Sequence, residues 1–444
     1  RTWHSPVADV EFRSAGQGRV ELASITGVGG VVVTSASRRG KGRPAESRMT
    51  ADTLMGTFGP DSALNTMTGT GHASIEQTTA TGARQTTSGD QIVARFGAGR
   101  AGRGSGNHAD SVEIQSATVE GHVVLTEQPE KQSGLRGGPP LRATAEKAVY
   151  ERAGEWLHLT GSPRIDDGPL QLSAAKIDLS QATGDAVAHG NVKGTLLESR
   201  NDGSGAEAGA GPLEFGGQGP AHVVADEAQL HQATGEAEFH GQARLWQQGN
   251  SISAPVIVLD RTRQTLVART RNEAEPVRVV LVSAGAIAPA KKGQLTTPPV
   301  VRLRGGNLKY SAAERKATMR GGVDHIVVAE TAEATTQADQ VELVLLPPGN
   351  HAGRDGGPAQ VDRMTASGHV LISLNGRRAT GEKLTYTNDS GEYVMTGSAA
   401  QPPQLSDPAR GTVSGETLIF NSRDDSVRVE GGAGKTLTET TAPR

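Results

Sequence analysis

The sequence of 444 residues contains no cysteine and few aromatic residues. The lack of cysteine excludes disulfide bonds and thiolate metal sites, and it is compatible with an oxidising compartment. Aromatic residues make up 3% of the chain, whereas glycine is abundant with 58 residues. A chain with many turns and few bulky side chains is unsuited to one large conventional core, and it favours a β-rich array.

The chain also lacks a strong charge excess and long apolar runs. A formal net charge of −3 and a pI near 6.5 give no basic footprint for nucleic acid, so we expect no nucleic-acid partner. No apolar run approaches the roughly 20 residues of a membrane-spanning helix. Because the chain starts at Arg1 without methionine, we expect a mature or truncated product that has already lost any N-terminal anchor.

The chain does contain a repeated two-part unit, which is clearest at Arg304–Val328. Its first part is a small residue followed by alternating apolar residues at Leu308 and Tyr310. A polar turn at Ser311–Lys316 leads to the second part, an apolar residue at Met319, a glycine and another alternating run. Alternation with a period of two predicts strands that bury one face. Each unit is therefore expected to form two strands.

The first part of this unit recurs at intervals of about 30 to 55 residues. The second part recurs too, for example at Met67–Ile75 and Val119–Leu125. Repeats of this length indicate a stack of small units, none of which closes a core alone. The small residues that begin the ten copies are Ala51, Gly89, Ala145, Ala174, Ala225, Ala254, Gly305, Ala338, Gly381 and Gly415.

Insertions rich in glycine, proline or charge interrupt the repeats, but the same unit occurs on both sides of each insertion. We therefore predict one array whose segments are a β segment at 1–50, β repeats at 51–126, 141–282 and 300–430, and a disordered tail at 431–444. The insertions are Arg38–Arg48, Gly97–Asp110, Gln128–Pro140, Asn201–Pro220, Ser283–Pro299 and Pro347–Gln360.

The apolar residues three and five positions after each small residue point to the same side of a strand. Stacked units therefore form an apolar stripe that is either buried against a second sheet or filled by a ligand. Small residues at Gly56, Ala94, Ala148 and Ala228 favour an unfilled groove, while periodicity alone leaves an ordinary packed core open. The candidate groove residues are Leu54, Ile92, Phe96, Tyr150, Ile177, Leu179, Ile257, Leu259, Leu308, Tyr310, Val341, Leu343, Leu384, Tyr386, Leu418 and Phe420.

A carboxylate follows the small residue in seven of the ten units. Such a row could bind cations, but we interpret it as a solvent-exposed rim at the strand entrances, where charge discourages wrong strand pairing. Histidines recur after a glycine at His72, His122 and His369, which indicates a feature of the repeat rather than a metal cluster. The carboxylates are Asp52, Asp90, Glu146, Asp226, Asp339, Glu382 and Glu416.

No motif indicates an enzyme. Gly97–Gly102 matches a dinucleotide-binding fingerprint, but a polar loop and another strand follow it instead of a helix, so the phosphate cradle is missing. No Ser–His–Asp set or pair of carboxylates stands out. We therefore expect no catalytic residues, no metal and no cofactor.

The repeated units resemble the OstA-like family of periplasmic lipopolysaccharide-transport proteins, which includes LptA-like and LptC-like members. The resemblance covers most of residues 50–430 and rests on many copies of a short pattern. The best matches are Arg378–Tyr386 with Met395–Gly397, Arg142–Tyr150 with Leu159–Gly161, and Met364–Val370.

The resemblance implies an elongated, twisted β-jelly roll, folded like a taco and built from stacked two-strand repeats. In that family, lipid A acyl chains lie in the apolar groove, and members stack end to end between an inner-membrane ABC transporter and an outer-membrane translocon. For this chain it implies a periplasmic lipopolysaccharide conduit that also associates end to end with itself. The segment 1–50 would correspond to the start of an LptC-like protein, anchored to the inner membrane through a segment before Arg1.

Two other interpretations stay open. The chain could be a structural β-solenoid filament or surface protein whose stripe is its core. A β-helical polysaccharide lyase is a third interpretation, but repeat spacings that alternate between 29 and 51 residues do not favour its regular rungs.

Overall fold

A computed structural model describes residues 2–14, 19–37, 45–78, 84–98, 112–128, 140–151, 155–197, 219–271, 275–282, 300–322, 326–332, 334–346, 361–374, 376–409, 411–421, 426–431 and 437–439. Across these ranges the chain is all-β, as predicted, and the only helical element is a 3₁₀ turn at Pro60–Ser62. In the same ranges, no helix has the length and apolarity needed to cross a membrane.

The described residues form short and long strands that pair in antiparallel ladders. They are β1 (Thr2–His4), β2 (Val7–Ser14), β3 (Val20–Ser37), β4 (Ala45–Phe58), β5 (Leu64–Thr78), β6 (Arg84–Ala98), β7 (Val112–Gln128), β8 (Leu141–Glu151), β9 (Trp156–Thr160), β10 (Arg164–Asp166), β11 (Leu170–Ser173), β12 (Lys176–Ser180), β13 (Ala186–Leu196), β14 (Ala221–His231), β15 (Glu236–Gln247), β16 (Asn250–Asp260), β17 (Thr265–Arg269), β18 (Val277–Val282), β19 (Val300–Gly305), β20 (Asn307–Ser311), β21 (Lys316–Arg320), β22 (Val327–Glu330), β23 (Ala334–Ala338), β24 (Gln340–Leu345), β25 (Val361–Leu374), β26 (Arg377–Thr387), β27 (Glu392–Thr396), β28 (Gln404–Asp407), β29 (Gly411–Ser414), β30 (Thr417–Asn421), β31 (Val427–Glu430) and β32 (Leu437–Glu439).

The chain divides into two compact units. The first comprises Arg1–Gly194 and Glu227–Thr234, and the second comprises Thr195–Asp226 and Gly235–Arg444. The predicted division into a segment at 1–50 and three blocks of repeats stays a prediction. The predicted insertions lie largely outside the described residues, and of the tail at 431–444 the structure describes residue 431 and β32.

The predicted two-strand unit is present as a hairpin. Strands β20 and β21 pair from Asn307 opposite Arg320 to Ser311 opposite Lys316, so the polar insert forms the turn, as the sequence indicates. Leu308 and Tyr310 are 2% and 1% exposed, whereas the intervening Lys309 is exposed. The period of two therefore predicted both the strand and its buried face correctly.

In the first unit, strands β4 to β8 each run through two half-sheets. We call these half-sheet A and half-sheet B. Half-sheet A consists of 53–57, 66–70, 91–95, 116–120 and 147–151, followed by β9 and β12. Half-sheet B consists of 45–51, 73–78, 84–89, 123–128 and 141–145, followed by β10 and β11.

The second unit repeats the same scheme within itself. Its half-sheet A contains 236–240, 256–260, β17, β20, β21, β24, 361–367, 383–387, β27, β30 and β31. Its half-sheet B contains 243–247, 250–254, β18, β19, β22, β23, 370–374, 377–381, β28, β29 and β32.

The half-sheets meet along a line of β-bulges, which we call the crease. In β5, for example, the register with β4 and β6 shifts between Thr70 and Ala73, across Gly71 and His72. Both residues at the bulge have positive φ, and a bulge of this kind bends the strand that carries it. The equivalent pairs of residues elsewhere are Gly29–Gly30, Gly121–His122, Gly161–Ser162, Gly190–Asn191, Gly241–Gln242 and Gly368–His369.

A carboxylate lies over the glycine of five of these bulges. A Cβ added to Gly121 would overlap the side chain of Asp90 on the neighbouring strand. Glycine is therefore required here for two reasons, its positive φ and the carboxylate packed against its Cα. The other four glycine and carboxylate pairs are Gly71 with Asp52, Gly161 with Glu146, Gly241 with Asp226, and Gly368 with Asp339.

We predict that Gly121→Ala destabilises the protein more than Gly376→Ala. Gly376 has a similar φ of +79° but no atom within 4 Å of an added Cβ, so its substitution isolates the backbone penalty of about 1–2 kcal/mol. Gly121→Ala adds the displacement of Asp90, which we expect to cost at least about 1 kcal/mol more. Midpoints of urea unfolding measure the difference, and equal losses for the two variants would contradict the role given to the carboxylate.

Candidate functional site

Fifteen of the sixteen predicted groove residues lie on the inner face of half-sheet A, in one unit or the other, and Phe96 lies just beyond it, past a register shift between Arg95 and Phe96. Phe96, Tyr150 and Tyr386 are half-buried and lie near the strand ends farthest from the crease. The remaining predicted residues are buried. The predicted interior small residues, such as Ala94 and Ala148, are buried in the same layer. The predicted apolar stripe is therefore present, and most of its side chains are shielded from solvent.

Half-sheet B supplies the apolar surface that faces the stripe of half-sheet A. The sequence did not single out this second apolar face, which begins after each bulge. In the first unit its buried residues include Val31, Met49, Ala51, Ala73, Val123, Leu125, Ala143, Ile165 and Leu172. In the second unit they include Leu245, Ile252, Val279, Leu281, Leu303, Val370, Ile372 and Leu405.

The two inner faces approach most closely beside the crease. A Cβ added to Gly69 of half-sheet A would lie 3.0 Å from Met49 Cε and 3.0 Å from the Ala51 Cβ of half-sheet B. Small residues are therefore needed where the bend brings the two layers together.

The margin opposite the crease is not sealed by strand pairing. In every register of the described strands, segments of half-sheet A pair with half-sheet A and segments of half-sheet B with half-sheet B. The bent strands at the crease therefore form the backbone connection between the layers. Among the described registers, no ladder hydrogen bond therefore joins the inner faces at the far margin.

Three of the bulges carry a histidine that pairs with the carboxylate over the glycine. His72 Nδ1 is 2.9 Å from Asp52 Oδ2, and His122 and His369 lie 2.9 Å from Asp90 and Asp339 in the same way. The hydrogen bond with Asp52, and then its negative charge, raise the pKa of His72, and the charge of Asp90 adds to this. All three pairs are exposed to solvent.

The seven acidic residues are exposed, as predicted, but of these only Asp339 and Glu416 lie at strand entrances, directly before β24 and β30. Asp52 and Asp90 lie within β4 and β6, at the crease, opposite the bulge of the next strand. Their position follows from pairing between strands about 20 to 30 residues apart, which the local pattern did not show. Within the described ranges, no cluster of three or more histidine and acidic side chains is placed to hold a metal ion.

A second polar cluster lies on the outer face of half-sheet A in the first unit, around Asp178. Its Oδ1 is 2.6 Å from His158 Nδ1, and its Oδ2 accepts a hydrogen bond from Lys176 Nζ at 2.9 Å. His189 Nε2 lies 3.4 Å from the same Oδ2. Burial alone raises the pKa of Asp178, but the hydrogen bonds from His158 and Lys176 outweigh it and hold the pKa below its ordinary value. The cluster joins strands β9, β12 and β13.

Among the comparisons with known proteins, the one with solved structures gives matches. No protein family and no curated protein matches the sequence. Twelve solved chains match the structure. One is LptH from Pseudomonas aeruginosa, described as the LptA-homologous periplasmic component of the conserved lipopolysaccharide transport device. It is 15% identical, with a TM-score of 0.24, and the match covers 32% of this chain and 89% of LptH.

We predict that Asp178→Asn destabilises the protein by about 1–3 kcal/mol at pH 7, because it removes hydrogen bonds to a buried charge. The pKa of Asp178 in the folded state lies below the ordinary 3.8, so its stabilisation is present above that value and is lost as the pH falls through the folded-state value. Urea unfolding at pH 7 and at pH 2 measures this difference.

Asp339→Asn is the matched control, because the pair of Asp339 and His369 is exposed. We expect its effect at pH 7 to stay below about 0.5 kcal/mol. A loss for Asp178→Asn that is no larger than this, or one that persists undiminished at pH 2, would contradict the account of the cluster.

Proposed function

We propose that the chain is a non-enzymatic periplasmic conduit for lipopolysaccharide, whose acyl chains lie between half-sheets A and B. One observation carries this proposal. In each unit two apolar faces are joined at a crease, and the described registers show no strand pairing between them along the opposite margin. Such an architecture takes up a long apolar molecule by parting at that margin, and the glycolipid headgroup then stays at the opening, in water.

The closed inner face is compatible with this function on energetic grounds. An empty open groove of this kind would expose a large apolar patch, which favours aggregation. Closing the two faces removes that surface from water at about 25 cal/mol per Å². An acyl chain that enters between the faces exchanges protein contacts for lipid contacts. Opening is therefore compensated by roughly 0.8 kcal/mol for each buried CH₂ group.

The free energy of acyl-chain burial also indicates which kind of partner the conduit needs. Several acyl chains together would be held too tightly to leave quickly by themselves, so directional movement requires work from an energy-consuming partner. We propose an inner-membrane ABC transporter as that partner and an outer-membrane translocon as the acceptor. The sequence resemblance to OstA-like proteins supports both assignments.

The N-terminal strand offers a site for end-to-end association. Within the described registers, β2 pairs with β3 alone, so its other edge is open. Val10 and Phe12 of this strand are 39% and 64% exposed. An open edge beside exposed apolar side chains is suited to strand addition by a second copy or by another component.

The alternative function is purely structural, and the complete burial of several predicted groove residues favours it. Leu54, Ile92, Ile177 and Leu384 are fully shielded from solvent, as residues of an ordinary β-sandwich core would be. In that case the two faces would stay together permanently, and the chain would serve as a filament or surface protein without a ligand.

Substitutions on the two sides of one strand distinguish the two functions. We predict that Tyr310→Asp lowers extraction of lipopolysaccharide from vesicles at least about tenfold, because the carboxylate would be desolvated against acyl chains. Lys309→Asp on the opposite side of β20 serves as the control and should extract normally. Far-UV circular dichroism and melting curves verify that both variants fold, and normal extraction by folded Tyr310→Asp would rule out the conduit.

A further inference from the structure

The outermost inner-facing row of half-sheet B in the first unit is polar. Gln77, Gln85 and Glu127 lie directly opposite one another on β5, β6 and β7. One step closer to the crease, the same three strands carry Ile75, Thr87 and Leu125 in register. The inner face therefore changes from apolar to polar at the margin where it opens. We call Gln77, Gln85 and Glu127 the margin row.

The margin row differs from an ordinary sheet edge because its central side chain is shielded from solvent. Gln85 is only 2% exposed, and its Oε1 accepts a hydrogen bond of 2.9 Å from Gln77 Nε2. An amide rarely occupies such a position without a role, because its burial requires hydrogen-bond partners. The polar row is confined to β5, β6 and β7 on this side, because Leu141 of β8, directly opposite Glu127, is apolar.

Glu127 is the least favourable member of the row for the folded protein. Burial raises the pKa of its carboxyl, and no described side chain forms an ion pair with it. A carboxyl whose folded-state pKa is raised costs stability once the pH exceeds its ordinary value. Groups that cost stability in this way occur preferentially at binding sites, where a ligand supplies the missing partner.

The second unit has a counterpart at the same margin of its own half-sheet B. Gln247 is the last inner-facing residue of β15 and is 3% exposed. Its Nε2 donates to the Gly219 carbonyl at 2.8 Å, but its buried Oε1 has no hydrogen-bond partner among the described residues. It pairs across the hairpin with Asn250, which is fully buried. A buried acceptor without a donor is thus found independently at the equivalent place.

We propose that the margin row binds the hydroxyl-rich sugar headgroup of the amphiphile whose acyl chains lie on the inner face. The proposal rests on the proposed function and adds a recognition element to it. A carboxylate accepts hydrogen bonds from two hydroxyl groups, and each glutamine offers two donors and an acceptor. Three such side chains in one row match vicinal hydroxyl groups, whereas an alkyl chain alone gains nothing from them.

Two amphiphiles with the same alkyl chain test this inference. Decyl maltoside carries a sugar headgroup, whereas decyl tetraethylene glycol carries a flexible ether headgroup. Calorimetric titration of the full chain below the critical micelle concentration gives the affinity for each. We expect Gln85→Leu and Glu127→Gln to weaken maltoside binding about tenfold and to leave the ether unchanged, because the first removes an amide donor and acceptor and the second replaces a charged acceptor by a neutral amide.

Gln91→Leu is the matched control, because Gln91 lies on the same strand as Gln85 but on the opposite side from Ile92, facing outward. It should bind both amphiphiles as the wild type does. Unchanged maltoside affinity in Gln85→Leu and Glu127→Gln, or an equal loss for both amphiphiles, would overturn the headgroup site while leaving the conduit intact. Failure of the wild type to bind either amphiphile would overturn the conduit and the headgroup site together.

Discussion

The glycine bulge covered by a carboxylate is the constraint from which the other features of each unit follow. At Gly71 and Gly121 the chain adopts a positive φ, and the side chain of Asp52 or Asp90 packs where a Cβ would be. The extra residue of a bulge bends a long strand without breaking its pairing on either side. Because the bulges of β3, β5 and β7 line up, the long strands bend at the same place, and a single sheet becomes two facing layers.

That bend determines what each unit is able to do. Two apolar faces are joined along the crease, and most of their side chains are buried. In the proposed function an acyl chain would take the place of the opposite layer, because dispersion and hydrophobic contacts are non-directional. Polar clusters lie at the crease, on the outer face around Asp178, and in the margin row.

The alternation of apolar residues predicted the strands, the hairpins and the inner face of half-sheet A, because these are local properties of a strand. It also predicted the run after each glycine as a strand with one buried face, but it did not place that run opposite the groove residues, because the bulge adds a residue and shifts which positions face inward. The run after Gly121 starts again at Val123 and Leu125, and a fixed offset from the small residue does not reach it. The apolar alternation after each glycine was the available signal.

The positions of polar groups were harder to predict, because they depend on registers between distant residues. Asp90 was expected at a strand entrance, and only pairing with β7 reveals that it lies over Gly121. The cluster around Asp178 draws its members from three strands, and the margin row also spans three. No local pattern distinguishes Gln85 from a glutamine on the outer face.

The central claim is that acyl chains occupy the space between the two half-sheets, and crosslinking tests it most directly. A photo-crosslinking amino acid is placed at Leu308, which faces inward, and separately at Lys309, which faces outward, in a cell that makes lipopolysaccharide. The account predicts glycolipid adducts at Leu308 and none at Lys309. Absence of adducts at both positions in a correctly folded protein would contradict it, and the inner face would then be a permanently packed core.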